Sequence, residues 1–344
     1  MPELPDTGFG IDAGTSPAQT EAFIADERRG IGNVAGDAGL LQIGAIEAGP
    51  ESRRRRGAGL GLGAWMAIGW MGFIILIAVL AKVGILTWGD ANESFASCAR
   101  KGPLANEGGA SGFLLGCDSN GRDMLPRLAL GAWTSLLVAT GAVTLGFIIG
   151  GSLGLISGFS GGKVDTVLTG IFNVLLSVPV IIMALALVAF LQGASGEEGA
   201  LSPEMILIIA IGVVAIPLIG RITRASSLTW AQREFVLASR AQGAKSRRIM
   251  IREVLPNVLP AMFSIALLAI GIAIVAEGAL AILGVGVRPP TPSWGNMIAL
   301  DRGNLFKSPH IVFEASLLIF FTVLSLNFLG DVVRAQFDVR ESGL

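Results

Sequence analysis

Six apolar runs, each long enough to cross a bilayer, decide what this chain can fold into: Leu62 to Leu86, then about 130–157, 166–191, 204–222, 259–283 and 311–331. A hydrocarbon core roughly 30 Å thick takes about 20 apolar residues as a helix, the form in which a single segment satisfies all its own backbone hydrogen bonds. Over 344 residues, 52% hydrophobic and 15% charged, the chain is too apolar for a soluble domain. The expected fold is an all-α polytopic membrane protein with six transmembrane helices. Pro179 and Pro217 fall inside predicted spans, where each removes a backbone hydrogen bond. Kinks beside a translocation path and ordinary packed kinks are both open readings.

The basic residues orient these runs. The segments predicted inside hold Arg28, Arg29, Arg53 to Arg56, Lys163, eight residues from Arg221 to Arg252, Arg334 and Arg340. Those outside hold Arg100, Lys101, Arg122, Arg127, Arg288, Arg302 and Lys307, and Lys82 ends the first run. Seventeen against seven places both termini in the cytoplasm. Residues 1–52 carry nine acids against Arg28 and Arg29, without a sustained apolar period, and are expected to form a disordered acidic cytoplasmic tail. No short apolar stretch with a cleavage site precedes the first run, so no removable signal peptide is expected. The organisation is therefore this tail; residues 53–127 with the first helix and an external loop; and residues 128–340, a five-helix core with a cytoplasmic loop at about 223–258. The turn Gly158 to Asp165 reads as a tight cytoplasmic reversal, and Gly193 to Pro203 as its outer counterpart. In the external loop Cys98 and Cys117, the chain's two cysteines, are either a disulfide in an oxidising compartment or two free thiols.

The loop from Arg233 to Pro260, REFVLASRAQGAKSRRIMIREVLPNVLP, is basic and interrupted. Leu228, Ala231, Phe235 and Ala238 draw one apolar stripe along a helix whose other faces carry Gln232, Arg233, Glu234 and Arg240. Gly243 is where that helix can end, Ser246 can cap a second short helix, and Pro256 and Pro260 bound it. Read alone, this is a helix–turn–helix or merely a basic connection. It resembles the coupling loop of ABC importer permeases, Glu-Ala-Ala, three residues, Gly, nine residues, Ile, one residue, Leu-Pro. Leu237, Ala238, Ser239, Gly243, Glu253, Leu255 and Pro256 stand at those positions, with Leu237 replacing the glutamate, Ser239 the second alanine and Glu253 the isoleucine. The resemblance implies that this loop docks on a separate ATPase subunit, with Glu234, Leu237, Ala238, Ser239, Gly243, Ala244, Leu255 and Pro256 as coupling residues and Glu234 supplying charge in place of the missing glutamate.

Three further stretches resemble the C-type subunit of dipeptide and oligopeptide permeases. Asp118, Gly121, Arg122, Asp123, Arg127 and Gly131 match its Gly-Thr-Asp, two residues, Gly-Arg-Asp, three residues, Arg segment, with Cys117 in place of the threonine. Physically that piece can lie along the outer interface, with Met124, Leu125 and Leu128 in lipid and Arg122 and Arg127 on phosphates. Glu277, Ala279, Leu280, Leu283 and Gly284, followed by Arg288 to Ile298 (RPPTPSWGNMI), match a second segment, in which the prolines and Trp294 suit a rigid external turn anchored at the interface. Asn327, Gly330, Asp331, Arg334 and Asp338 match a third. Glu277, a carboxylate deep in a span, either lines the substrate path or bonds a neighbouring helix.

No catalytic constellation is evident. There is no Gly-x4-Gly-Lys-Ser/Thr phosphate loop, no nucleophile with a histidine and an acid arranged about it, and the single histidine, His310, lacks metal-ligand neighbours and reads as an interface residue. The resemblance implies the type I ABC importer permease fold in a bacterial cell membrane. It implies a B-type permease partner, two ATPase subunits or one fused ATPase, and an external substrate-binding protein delivering peptide. ATP and Mg would sit on the partners, with no catalytic residue, cofactor or metal on this chain; membrane lipid is its solvent and nucleic acid is not a partner. Alternating access through the loop around Gly243 would be the mechanism. Close relatives in the same importer class carry nickel or glutathione. An ion-coupled secondary transporter would usually show several intramembrane acids or histidines and two repeated halves, and a non-transporting scaffold would need no such loop.

Overall fold

The computed structural model describes residues 61–85, 89–103, 112–194 and 201–341, with side chains omitted for 336–341. The expected tail, Arg53 to Arg56, and the side chains of Asp338 and Arg340 lie outside the described residues. Ten α-helices appear among those described: α1 Leu62–Val83, α2 Met124–Ser160, α3 Gly162–Ser177, α4 Val180–Ala194, α5 Pro203–Ala231, α6 Glu234–Ala241, α7 Ser246–Ile249, α8 Leu255–Ile282, α9 Trp294–Asp301 and α10 Pro309–Glu341. No strand is found among them, only the isolated bridges Ser94 to Arg122 and Cys117 to Asp123.

Local chemistry sets the helix ends. Asp123 accepts from the Leu125 N–H at 3.0 Å to start α2, and Ser202 from Met205 at 3.2 Å to start α5, with Pro203 in the first turn where its missing N–H costs nothing. Burial pushes the Asp123 carboxyl above its usual pKa, and the bond from Leu125 partly offsets this.

The centre of the fold is the seam between α2 and α5. Gly146, Gly150, Gly154 and Gly158 recur every fourth residue, one strip of the α2 surface, and α5 lies directly on it. A β-carbon placed on Gly150 would stand 2.3 Å from the Ile216 carbonyl oxygen, one on Gly154 2.3 Å from that of Gly220, and one on Gly158 2.5 Å from that of Arg224. The partners advance with the glycines, so the helices run parallel. From Gly146 opposite Ala215 and Gly158 opposite Ser227, the start of α5 lies level with about residue 134 of α2, roughly 40 Å along the axis from Gly161 at 1.5 Å per residue.

The chain must climb that distance between the two helices, and α3 with α4 carries it. The third span is expected to be one helix over 166–191; instead α3 and α4 meet at an 89° bend. Pro179 is the cause. It has no N–H, it pushes Val178 into extended backbone at φ −85°, ψ 130°, and α4 restarts with Met183 donating to the Pro179 carbonyl at 3.0 Å. Helices of about 24 and 22 Å set at right angles span about 33 Å, which makes the bent pair one crossing and six crossings in all with α1, α2, α5, the α7–α8 run and α10. By contrast α5 continues through Pro217 and α8 through Pro260.

Outside the bilayer, Cys98 and Cys117 form a disulfide with both side chains buried. Beside it the Asp118 carboxylate accepts from the Asn120 and Arg122 N–H groups, each at 2.9 Å, and from Arg122 Nε at 2.7 Å, with Arg127 Nε 3.5 Å away. Arg127 donates to the Ala91 carbonyl at 3.1 Å. This corrects the interfacial reading of the segment: Arg122 and Arg127 are buried on a carboxylate rather than extended to lipid phosphates, and Met124 and Leu128 are buried in the bundle core. A carboxylate four residues from one arginine and nine from the other is a nearer partner than a headgroup.

Replacing Gly150 by valine is expected to force the seam apart, because the obstacle is backbone that cannot change rotamer. The cost is at or above the upper end of the ~1–3 kcal/mol typical of overpacking. Thermal unfolding of the purified chain checks it; an unchanged Tm refutes the tight seam.

Candidate functional site

At the inner end, α5 stops at Ala231 and α6 starts at Glu234, with Arg233 between them in extended backbone at φ −72°, ψ 153°. The expected single stripe through Leu228, Ala231, Phe235 and Ala238 is therefore divided between two helices. Val236 takes over as the anchor: it is fully buried in an apolar cluster with Leu155 of α2, Ile249, and Val258 and Met262 of α8. The Arg233 guanidinium lies 5.3 Å from the Trp230 ring centre and that of Arg240 5.5 Å from Phe159, which ties the ends of α6 to α5 and α2.

Gly243 closes α6 in left-handed backbone at φ +79°. Its N–H donates to the Arg240 carbonyl at 3.0 Å and the Ala244 N–H to that of Ser239 at 3.1 Å, the paired bonds that end a helix on glycine. Ser246 does not cap the next helix; Lys245 holds that position without a side-chain bond. Nor do Pro256 and Pro260 bound a separate helix. α7 passes through a wider π turn, Met250–Val254, directly into α8, and the Asn257 side chain donates to the Glu253 carbonyl at 2.6 Å. The loop's second half is thus the foot of a membrane span.

Around the buried Val236, the coupling residues expected from the sequence lie on one small surface. Glu234, Leu237, Ala238, Gly243 and Pro256 are exposed, and Ser239, Ala244 and Leu255 half-buried. Leu237 is 54% exposed and Phe235 39%. Glu234 sits one turn before Leu237 on the same face, so a carboxylate remains beside the place where leucine replaces glutamate. Arg247, Arg248 and Arg252 rim the surface. What it can do is mechanical: present an apolar, basic-edged knob while Val236 and two cation–ring contacts hold it to three helices.

Above it, Asp165 at the start of α3 takes a hydrogen bond from Ser157 of α2 at 2.5 Å and a two-pronged contact from Arg224 of α5, whose Nη2 is 2.6 Å away. This tie pins the inner turn to the seam; sequence reasoning did not single out Asp165 or Arg224, whose only signal was a lone acid and a lone base near the same membrane face.

Glu277 is fully buried and bonds neighbouring elements, the second of the two readings open from the sequence. Its Oε1 accepts from Ser293 at 2.7 Å and Oε2 from Ser135 of α2 at 3.3 Å, and the Gly295 N–H also donates to the carboxylate. The carboxylate lies at the positive end of α9, where anions are favoured. Trp294 is likewise buried rather than anchored at the interface. Its indole N–H donates to the Leu128 carbonyl at 3.0 Å and its backbone N–H to Ser135 at 3.1 Å. His310 is half-buried, with Nε2 3.3 Å from the Cys117 carbonyl.

A family described as the binding-protein-dependent transport system inner membrane component matches residues 150–342, which include the loop around Gly243. The chain belongs to this family. A di/tripeptide transport system permease protein, DppC, of Pseudomonas aeruginosa is 36% identical over 278 residues, 80% of this chain and 88% of the relative. The dipeptide permease protein DppC of Alkalihalophilus pseudofirmus is 36% identical over 77% of this chain and 82% of its own length. A glutathione transport system permease protein, GsiD, of Pectobacterium atrosepticum is 33% identical over 68% and 75%. Among solved structures, a chain of the MetNI methionine ABC transporter in inward-facing conformations superposes with a TM-score of 0.53 at 23% identity, covering 62% of this chain and 97% of that one, a likeness of fold. The permease is a multi-pass inner-membrane component.

Two substitutions separate the roles. Val236→Asp buries an unpaired carboxylate and should release α6 from its anchor; cleavage by trypsin at the loop's basic residues should quicken at least about tenfold, equivalent to ~1.4 kcal/mol. Glu277→Leu strands the donors of Ser135, Ser293 and Gly295 at ~1–3 kcal/mol each. It should lower Tm while leaving substrate preference unchanged, and a shifted preference would restore Glu277 to the path.

Proposed function

We propose that this permease is the C-type membrane subunit of an ATP-driven importer for di- and oligopeptides, handed over by an external binding protein and moved by alternating access. The observation that carries the reading is the knob formed by α6 and Gly243: exposed and apolar on one side, and braced through Val236 against the inner ends of α2 and α8 on the other. Such an element is suited to receive force from a separate subunit, provided that subunit binds it differently in two states. The peptide relatives at 36% identity support the substrate class.

A related B-type permease, two ATPase subunits or one fused ATPase, and the binding protein complete the assembly in this proposal, with ATP and Mg held on the ATPases and the chemistry done there. This chain's part is non-catalytic. The glutathione permease at 33% identity keeps a second substrate in view, itself a tripeptide in chemical terms.

The experiment is reconstitution of the complex purified from native membranes into vesicles with its binding protein. ATP-dependent uptake of a labelled dipeptide, inhibited by unlabelled di- and tripeptides in excess and not by nickel, is the expected result. Stronger inhibition by glutathione than by any dipeptide moves the assignment to that tripeptide. Uptake that persists without ATP overturns the importer reading.

A further inference from the structure

Near the outer ends of α1, α2 and α10 the fold encloses a cleft of about 310 Å³ whose lining includes Phe73, Ile77, Leu128, Ala132, Phe313 and Glu314. Its walls are hydrocarbon apart from one group. The Oε2 of Glu314 is buried and has no hydrogen-bond partner among the described residues. No lining side chain can supply one: Glu314 is the single ionisable group there, and the Trp294 indole N–H that borders the cleft is already committed to the Leu128 carbonyl. A carboxylate oxygen in apolar surroundings is costly without a donor, and an occupant of the cleft that carries an N–H group would supply one.

The medium at the mouth identifies the source. Phe313 and Phe73 at the rim are 67% and 51% exposed on spans whose surroundings are acyl chains. Glu314 lies five residues into α10, about 8 Å below its outer end at 1.5 Å per residue, within reach of a headgroup. A cleft of this size among the chain's own helices suits an acyl chain, whereas a partner's helix, about 10–12 Å across, would lie outside it. A tail alone offers no donor; a primary ammonium offers three N–H groups and a complementary charge.

We infer that this cleft is a binding site for a membrane lipid with a primary-ammonium headgroup, its tail along Ile77, Leu128 and Ala132 and its ammonium on Glu314. The site is independent of what the importer carries. It holds the lipid between the first span and the α2–α5 core.

The test compares phosphatidylethanolamine with phosphatidylcholine of identical tails, since three N-methyl groups keep the charge and remove every N–H donor. The complex, purified with its partners and stripped of lipid, is titrated with each and read by native mass spectrometry. Wild type should retain the ethanolamine lipid about tenfold more tightly, equivalent to ~1.4 kcal/mol, as a charge-assisted bond allows. Glu314→Gln should erase most of that difference, and Ala132→Phe, which fills the cleft, should weaken both lipids. Equal binding in wild type, an undiminished preference in Glu314→Gln, or unchanged binding in Ala132→Phe each overturns the site; the wild-type comparison and the cleft-filling variant stand if Glu314→Gln does not fold.

Discussion

The contact of α2 with α5 through glycine backbone is the constraint on which the other arrangements rest. Lipid is as apolar as a leucine side chain, so burial alone gives two membrane helices little reason to associate; close van der Waals contact does. Four glycines at four-residue spacing let α5 approach closely, Gly150, Gly154 and Gly158 against its carbonyl oxygens and Gly146 against the Ala215 methyl. That contact fixes the register and the parallel sense. From those follow the climb the bent pair must make and the level at which the chain turns. Both ends of the molecule are then hung on α2: Ser135, Leu128 and Gly131 receive α8 and α9 at the outer end, and Leu155 receives α6 at the inner end.

Electrostatics supports this frame at places where each charge meets fixed partners. Asp118 gathers two arginines at the outer end, Asp165 holds Arg224 at the inner turn, and Glu277 sits among three donors between α2, α8 and α9. Each joins elements distant in sequence or locks a loop onto a helix start. Charges of this kind are costly in an apolar medium without partners, and here the partners are oriented by helix ends and turns.

Hydropathy made the spans legible, because lipid leaves few alternatives to a helix of apolar residues. The helix that ends on Gly243 was legible in the loop, because no other residue adopts that left-handed backbone as cheaply. The two proline positions were not separable in sequence: Pro179 and Pro217 both follow β-branched residues in apolar runs, and only packing decides that Val178 turns extended while Ile216 stays helical against Gly150. Arg122 and Arg127 were placed outward because a basic pair near a membrane end has two sensible homes, and the nearby Asp118 was not weighed as one of them. The apolar stripe failed at Arg233 because helical periodicity carries no information about a two-residue break. The central seam was not read from the sequence, although Gly146, Gly150, Gly154 and Gly158 stand there at helical spacing, because hydropathy gives small residues little weight.

A seam made of backbone has no lubricant. Where helices meet through side chains, they can slip past each other by changing rotamers, one layer exchanging partners with the next. At Gly150, Gly154 and Gly158 carbonyl oxygens of α5 are the nearest atoms to the glycines, and a shift of α5 along α2 would drive them into α-carbons. The two helices therefore behave as one stiff shaft through the membrane. Compliance is left to the joints at its ends, the Gly161 turn, the corner at Val178 and the break at Arg233, so a displacement applied at the cytoplasmic knob reaches the outer face with little lost on the way.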